Sequence, residues 1–145
     1  MAKLNPYLGF KDDARQAMEF YRSVFGGELA VNTFEEFGAA SGAEGAKIMH
    51  AQLETPQGYT LMASDTPEGM EHRPGSAVSI SLSGGEGEGL EDQFAQLSDG
   101  GTVTMPLEKQ MWGDVFGMCT DRFGTSWMVN IAGPDNAGGG AGSSS

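Results

Sequence analysis

The sequence predicts an α+β fold built from two copies of one βαβββ unit. A strand pattern, an amphipathic helix pattern and three further strand patterns follow one another over residues 3–65 and again over residues 76–132. Each helix pattern is closed by a pair of glycines, Gly26-Gly27 and Gly100-Gly101, after which a strand pattern resumes. Because duplication of a supersecondary unit constrains the whole topology, it outweighs any single motif.

The first unit owes its helix prediction to apolar residues that recur at helical spacing from Ala14 to Phe25. Residues 38–45 are mostly Gly, Ala, Ser and Glu, which predicts a mobile loop. The predicted elements in order are a strand at 4–10, a helix at 12–25, a strand at 28–37, and a hairpin of strands at 47–54 and 59–64.

The second unit follows a linker at residues 65–75 that is rich in Pro and Gly. Its first strand has the cleanest alternation in the chain, with Val78, Ile80 and Leu82 between serines. The predicted elements are a strand at 77–82, a helix at 89–98, and strands at 102–108, 115–120 and 126–131. Residues 133–145 predict a flexible Gly/Ser tail.

Composition and charge exclude several classes of function. Of 145 residues, 39% are hydrophobic, which is enough for a folded core. Twenty acidic against eight basic residues give a net charge of -12, so binding to nucleic acid is not expected. There is no apolar run of about 20 residues, so no membrane segment is expected. With no signal-peptide pattern and one cysteine, Cys119, the expected location is the cytoplasm.

Several short strings in these units resemble a known family. They are Asn5-Pro6-Tyr7-Leu8, Glu19-Phe20-Tyr21 before Phe25-Gly26-Gly27, Ile48-Met49-His50-Ala51, and Trp112-Gly113-Asp114 before Asp121-Arg122-Phe123-Gly124 and Trp127. The chain resembles a PhnB-like member of the vicinal oxygen chelate superfamily, which includes glyoxalase, bleomycin resistance proteins and extradiol dioxygenases. The resemblance implies a single glyoxalase-like domain over residues 1–132, whose two modules form a half-open barrel around a cavity, in a homodimer.

The resemblance also indicates where a metal would bind. Metal-using members of the superfamily hold a divalent ion with four side chains, and the matching places here are Asn5, His50, Ser79 and Met128. Only His50 is a strong ligand for such an ion, so we expect no full metal site and predict no cofactor. A rearranged divalent site that combines His50 with Gln52 or Glu54 is the alternative, because these three residues share one strand face.

Small polar side chains are predicted to face the cavity of the half-barrel. Trp112, beside a glycine in a loop, is a candidate to clamp a planar ligand. For the serines, the competing interpretation is the solvent side of an ordinary antiparallel strand. If a reaction occurs, His50 is the candidate general acid or base. The predicted ligand-binding residues are Asn5, Tyr7, His50, Gln52, Ser79, Ser81, Trp112, Met128 and Asn130.

Three hypotheses of function follow. The first is binding of a small organic molecule without the full metal site. The alternative is a metal-dependent lyase, isomerase or dioxygenase, and the second alternative is a dimeric structural or regulatory domain. A methyltransferase label occurs in this family, yet the sequence has no glycine fingerprint for an adenosyl cofactor, so methyl transfer is not expected.

Overall fold

The computed structural model describes residues 4–38, 42–67, 69–72, 75 and 77–133, so most of the predicted tail lies outside the described residues. The described chain contains eight strands, three α-helices and a short 3₁₀ helix at Glu35–Phe37. In chain order the other elements are β1 (Tyr7–Phe10), α1 (Ala14–Phe25), β2 (Glu28–Thr33), α2 (Gly42–Gly45), β3 (Ile48–Glu54), β4 (Thr60–Asp65), β5 (Ile80–Gly84), α3 (Leu90–Ser98), β6 (Thr102–Lys109), β7 (Val115–Thr120) and β8 (Ser126–Ile131).

The strands form two four-stranded sheets with the same topology. The first has the order β1-β4-β3-β2 and the second β5-β8-β7-β6. In each, the first and last strands of the unit pair in parallel, and the other pairs are antiparallel. The chain divides into two compact units, Met1–Pro74 and Gly75–Ser145. The predicted α+β class and the two βαβββ units are therefore confirmed, and neither sheet closes into a barrel by itself.

The core of the first unit lies between α1 and one face of its sheet. The helix buries Ala17, Met18 and Tyr21 completely, as the helical spacing predicted. On the sheet, Leu53 and Leu61 belong to the alternate residues that are buried, and α1 packs against β2, β3 and β4. Each large apolar side chain buried in this way contributes about 1.5–3 kcal/mol.

The second unit buries the corresponding face of its own sheet under α3. Leu90, Phe94 and Leu97 form the apolar side of that helix. Trp127 and Val129 on β8 are almost completely buried. Alternate residues of β8 and β5 consequently lie on the opposite face, away from the helix.

Strand pairing, rather than local pattern, sets the ends of β1 and β5. Their predicted spans begin three residues too early, at 4 and 77, whereas the observed ladders begin at Tyr7 and Ile80. β5 also runs two residues past its predicted end, because Gly84 still pairs with Ile131. A parallel ladder extends only as far as its partner strand supplies hydrogen bonds.

β2 ends four residues earlier than the sequence pattern predicts. The backbone N–H of Thr33 donates to Glu36 Oε1 at 2.6 Å, and Glu36 N–H donates to Thr33 Oγ1 at 3.2 Å. This reciprocal arrangement is a capping box, which begins the helical turn that follows.

The loop predicted at 38–45 also contains the short helix α2, while residues 39–41 lie outside the described part of the chain.

The duplication extends to individual hydrogen bonds. Just beyond the parallel pair of each unit, Thr66 N–H donates to Phe10 O and Ala132 N–H donates to Gly84 O, both at 2.7 Å. Aligning the two units on these bonds makes Tyr7 equivalent to Ser81 and Met62 equivalent to Met128. The adjacent antiparallel ladders then make His50 equivalent to Phe116. The two units thus share a backbone plan but differ in the side chains on the face away from the helix.

Candidate functional site

The first sheet carries polar side chains on the face that α1 does not cover. We call this surface the first polar face. It is defined by strand alternation, because the residues between its members are the buried ones under α1. Met62 lies at its centre, directly opposite both Tyr7 and Gln52 in the two flanking ladders. Its members are Tyr7, Gly9, Glu28, Ala30, Asn32, His50, Gln52, Glu54, Thr60, Met62 and Ser64.

Tyr7 and His50 form a pair on this face although 43 positions separate them in sequence. Tyr7 Oη lies 3.3 Å from His50 Nδ1, and the two ring centroids are 5.9 Å apart with an interplanar angle of 39°. Tyr7 is 54% exposed and His50 is half-buried, so solutes can reach the pair in this unit. The sequence predicted both residues separately, and the structure brings them together.

The hydrogen bond links the proton positions of the two side chains. When the Tyr7 hydroxyl donates to Nδ1 of a neutral imidazole, Nε2 of His50 carries the proton and acts as a donor. When Nδ1–H donates to Tyr7 Oη, Nε2 becomes an acceptor and the tyrosine hydroxyl can donate elsewhere. The pair can therefore present either a donor or an acceptor at Nε2 to a bound molecule.

Two other predicted residues of the first unit, Gln52 and Asn5, lie two positions along the chain from His50 and Tyr7. Gln52 is half-buried on β3, two residues beyond His50 and on the same face. Asn5 is half-buried in the segment before β1, two residues ahead of Tyr7. In a strand, residues two apart lie on one face about 7 Å from each other. The parity that predicted a shared face for Tyr7, His50 and Gln52 agrees with the observed register.

The rearranged metal site considered as an alternative would use three side chains of β3. His50, Gln52 and Glu54 do share one face, opposite Asn32, Ala30 and Glu28 of β2. Within the described residues, no group of three or more His, Cys, Asp or Glu side chains could hold a metal ion. The duplication also shows that His50 and Met128, matched as metal positions from the sequence, are not equivalent places in their units.

In the second unit, Ser81, Met128 and Asn130 share the face away from α3, as predicted. Ser81 pairs with Met128 in the β5–β8 ladder, and Ser83 pairs with Asn130. Ser79 is half-buried just before β5. Ser81 stands where the first unit has Tyr7, and Phe116 stands where it has His50. The second unit therefore has no counterpart of the Tyr7–His50 pair.

Asn130 belongs to a buried polar cluster rather than to an open surface. It is 3% exposed, and its Nδ2 donates to Asp114 Oδ2 at 3.0 Å. Asp114 Oδ1 also accepts the backbone N–H of Gly133 at 3.0 Å. Asn130 Oδ1 has no hydrogen-bond partner within the described part of the chain. Asp114 thus anchors the end of β8.

Trp112 lies in the tight turn between β6 and β7. Gln110 N–H donates to Asp114 O at 2.8 Å and Gly113 N–H donates to Gln110 O at 3.0 Å, which fixes the turn. Trp112 is 55% exposed there, and the neighbouring Met111 is fully exposed. A role for Trp112 as a clamp on a planar ligand stays a prediction.

Sequence reasoning missed a charged cleft on the helix side of the first unit. The cleft has a volume of about 440 Å³ and is lined in part by Arg15, Gln16 and Asp65. Lys47 Nζ lies 2.9 Å from Asp12 Oδ1 and 3.3 Å from Glu44 Oε2. The hydrogen bond to Asp12 raises the pKa of Lys47 above its ordinary value. Glu44 and Lys47 lie three positions apart, but no spacing rule links them to Asp12, which precedes α1.

Solved structures of known proteins have the same fold as this chain. A member of the glyoxalase/bleomycin resistance protein/dioxygenase superfamily from Sphaerobacter thermophilus has the same fold, with a TM-score of 0.57 at 19% identity over 90% of this chain and 98% of its own. The two βαβββ units thus have the fold of that protein, which is the fold that the sequence strings indicated. Among the described residues, no helix is long and apolar enough to span a membrane.

The family follows from the sequence itself. Residues 2–130 match the model of the family described as 3-demethylubiquinone-9 3-methyltransferase, so the chain belongs to that family, and it is PhnB-like. Protein PA1353 from Pseudomonas aeruginosa is 37% identical, covering 91% of this chain and 98% of its own, with a TM-score of 0.81. A PhnB protein from Bacillus cereus is 25% identical over 90% and 100% of the two chains, with a TM-score of 0.73.

Proposed function

We propose that this protein binds a small organic molecule on the first polar face, with Tyr7 and His50 as its hydrogen-bonding centre. The observation that carries the proposal is the contact of 3.3 Å between Tyr7 Oη and His50 Nδ1 on a sheet face that α1 leaves uncovered. A hydrogen bond between side chains of β1 and β3, two strands far apart in sequence, restricts the positions of both rings. A recognition site requires side chains that are held in place. The resemblance to the vicinal oxygen chelate superfamily supports the same location.

The chemistry of the face favours an uncharged or singly charged ligand with an oxygen that accepts a hydrogen bond. Near the pair, the side chains are a hydroxyl, an imidazole, an amide and a thioether, from Tyr7, His50, Gln52 and Met62. A small number of placed donors and acceptors beside apolar groups, here the Tyr7 ring and the Met62 thioether, is typical of small-molecule sites. If a reaction follows binding, His50 is the proposed acid or base, and Tyr7 sets which nitrogen of its ring carries the proton.

The remaining predicted residues belong to the proposal as further ligand contacts. Asn5 extends the first polar face, and Ser79, Ser81, Trp112, Met128 and Asn130 stay predicted ligand-binding residues of the second unit taken by itself. These contacts rest on the family resemblance and on strand parity. The proposal needs no metal ion and no methyl donor.

The first experiment is a ligand screen on the intact protein. We expect a panel of phenols, aromatic acids and ketones, followed by ¹H–¹⁵N spectra, to contain compounds that shift the amide signals of Tyr7, His50 and Gln52. Tyr7→Phe and His50→Ala should each weaken binding of such a compound about 3- to 10-fold, since a neutral hydrogen bond contributes about 0.5–1.5 kcal/mol. Gln57→Ala, in the exposed turn between β3 and β4, is the matched control and should bind as the wild type does.

The alternative is a metal-dependent enzyme, and the shared face of His50, Gln52 and Glu54 is the observation that favours it. Elemental analysis of the purified chain beside His50→Ala separates the two. One divalent ion per chain that disappears in the variant would replace the metal-free proposal. Absence of binding by every compound, together with tolerance of substitutions at Asn5, His50 and Trp112, would instead favour a structural or regulatory domain.

The proposed setting is a cytoplasmic homodimer. The resemblance implies the dimer, and the net charge of -12 disfavours nucleic acid as a partner. Light scattering on the eluted protein gives the mass, for which we expect twice 15.2 kDa.

A further inference from the structure

Gly9 leaves open space, here called the recess, among the side chains of the first polar face. A Cβ atom placed on Gly9 would meet no atom within 4 Å, and the residue is exposed. Its φ angle lies outside the left-handed range, so the backbone accepts any residue at this position. Neither conformation nor packing within the first unit therefore explains the glycine.

A glycine inside a strand carries a cost that the fold alone does not offset. It destabilises a strand by about 0.5–1 kcal/mol relative to alanine, and it often marks a place where a ligand or another backbone approaches closely. At Gly117, in β7 of the second unit, another backbone approaches closely, because a Cβ atom there would lie 2.8 Å from Leu107 Cα. At Gly9 the corresponding space is empty.

The walls of the recess are the groups of the proposed site. Gly9 pairs with Ser64 across the β1–β4 ladder, and Tyr7 precedes it by two residues on the same face. Continuing the β3–β4 register by one residue from Ala51 and Ala63 brings His50 opposite Ser64. The Tyr7–His50 hydrogen bond therefore runs along one side of the recess.

We propose that the recess at Gly9 is a ligand subsite that receives the edge of a flat, oxygen-bearing ring. This inference rests on the proposed function and names its ligand class. Same-face residues on a strand are about 7 Å apart and neighbouring strands about 4.8 Å apart, so a missing side chain leaves a slot with room for the edge of one ring. The exposed ring of Tyr7 offers an aromatic wall beside it.

The polar groups around the slot decide where the oxygen of that ring lies. With the Tyr7 hydroxyl donating to Nδ1, His50 directs an N–H at Nε2 toward an acceptor. The side chains that border the recess, those of Tyr7, His50 and Ser64, include no carboxylate, so nothing there favours a cationic ligand. A ring ketone or phenol supplies both the flat edge and the acceptor oxygen.

The test uses the whole chain, three named probes and a matched pair of variants. The probes are acetophenone, 2-hydroxyacetophenone and the non-planar cyclohexyl methyl ketone, titrated while ¹H–¹⁵N spectra are recorded. Gly9→Val fills the recess, and Thr60→Val places a valine on the same face at the other end of β4 without filling open space. Both variants should melt at or above the wild-type temperature, because valine suits a strand.

We expect the aromatic ketones to bind the wild type and Thr60→Val equally, and Gly9→Val at least 10-fold more weakly. Cyclohexyl methyl ketone should bind all three proteins weakly. Equal binding of the aromatic ketones by Gly9→Val, or of all three probes by the wild type, would overturn the inference. If His50→Ala still weakened binding in that case, the proposed function would stand without the subsite. If no compound of the wider panel shifted the first polar face, both would fail.

Discussion

Gly27 and Gly101 occupy the same place in the two units. A Cβ atom on Gly27 would collide with the backbone of Glu54 and Thr55, and one on Gly101 with the backbone of Thr120 and Asp121. In each unit the chain leaving the helix thus touches the end of the third strand of that unit. The backbone itself forms this contact, so only glycine fits at either position.

We expect Gly101→Ala to lower the free energy of unfolding by at least about 2 kcal/mol, because backbone atoms cannot move aside as side chains do. Its φ lies outside the left-handed range, so the loss measures the collision alone. Gly9→Ala is the matched control, with open space and an ordinary backbone, and should be neutral or slightly stabilising. Urea unfolding compares them, and equal midpoints for the two variants would contradict the prediction.

Asp65 joins two elements of the first unit through one buried carboxylate. It accepts the backbone N–H of Ala14 at 2.9 Å, at the start of α1, and that of Ile48 at 2.8 Å, at the start of β3. Asp65→Ala leaves two buried donors unsatisfied and should cost about 2–4 kcal/mol of stability. Asp65→Asn, which keeps one acceptor oxygen, should cost about half as much.

Denaturant unfolding of both Asp65 variants checks this expectation. Asp92→Ala, an exposed carboxylate removed from the first turn of α3, serves as the control and should stay within about 0.5 kcal/mol of the wild type. Similar small losses for Asp65→Ala and Asp92→Ala would show that the two hydrogen bonds of Asp65 do not stabilise the fold.

The charged cleft makes stability depend on pH at the alkaline end. Because the pKa of Lys47 is raised above 10.5 in the folded chain, first by its hydrogen bond to Asp12, the folded state holds this proton more tightly than the unfolded state does. Its contribution is fully present below about pH 10.5 and is lost as pH rises through the raised pKa. Lys47→Met should therefore be less stable than the wild type at neutral pH, and the difference should shrink in strongly alkaline solution.

Unfolding of wild type and Lys47→Met at a series of pH values between 8 and about 12 measures that difference. Lys109→Met, an exposed lysine on β6, is the control. A stability difference for Lys47→Met that stays constant across the series would rule out a contribution from its protonation.

Cys119 is predicted to react slowly. It is 2% exposed on β7, and burial raises the pKa of its thiol above 9.0, although a hydrogen bond with Ser98 acts in the opposite direction. Both burial and the small thiolate fraction slow attack on a disulfide reagent. We expect Ellman's reagent at pH 8 to modify the native chain at least about 100-fold more slowly than the chain in urea, since modification requires opening of the core.

A reference thiol makes that rate interpretable. Met105→Cys in a Cys119→Ala background places a thiol on β6, where Met105 is 41% exposed, and it should react rapidly in the native protein. Native Cys119 reacting as fast as this thiol would contradict the buried position of its side chain.

Local periodicity determined most of the fold. The apolar spacing of α1 and the alternation along β7 and β8 arise from the geometry of single elements, and the predicted spans of those two strands match the structure residue for residue. The end of β2 was misplaced because the capping box at Thr33 and Glu36 overrides the alternation. The ends of β1 and β5 were misplaced because their lengths depend on partner strands.

The candidate site was predictable only in part. Strand parity placed Tyr7, His50 and Gln52 on one face, since the side-chain period of a strand is fixed at two. That Tyr7 contacts His50, and that Gly9 leaves a recess beside them, depends on the register of three strands. The hydrogen bonds of Asp65 and the contact between Lys47 and Asp12 could not be predicted, because the residues in contact lie far apart in the chain.

The sequence by itself determined the two βαβββ units, the residues that fill each core and the family, since these depend on periodicity and on local strings of residues. Only the tertiary structure decided which polar side chains meet, which buried carboxylates anchor the elements and which glycines are required by contact. Those properties depend on distances between residues far apart in the chain, and pairing register and packing set such distances.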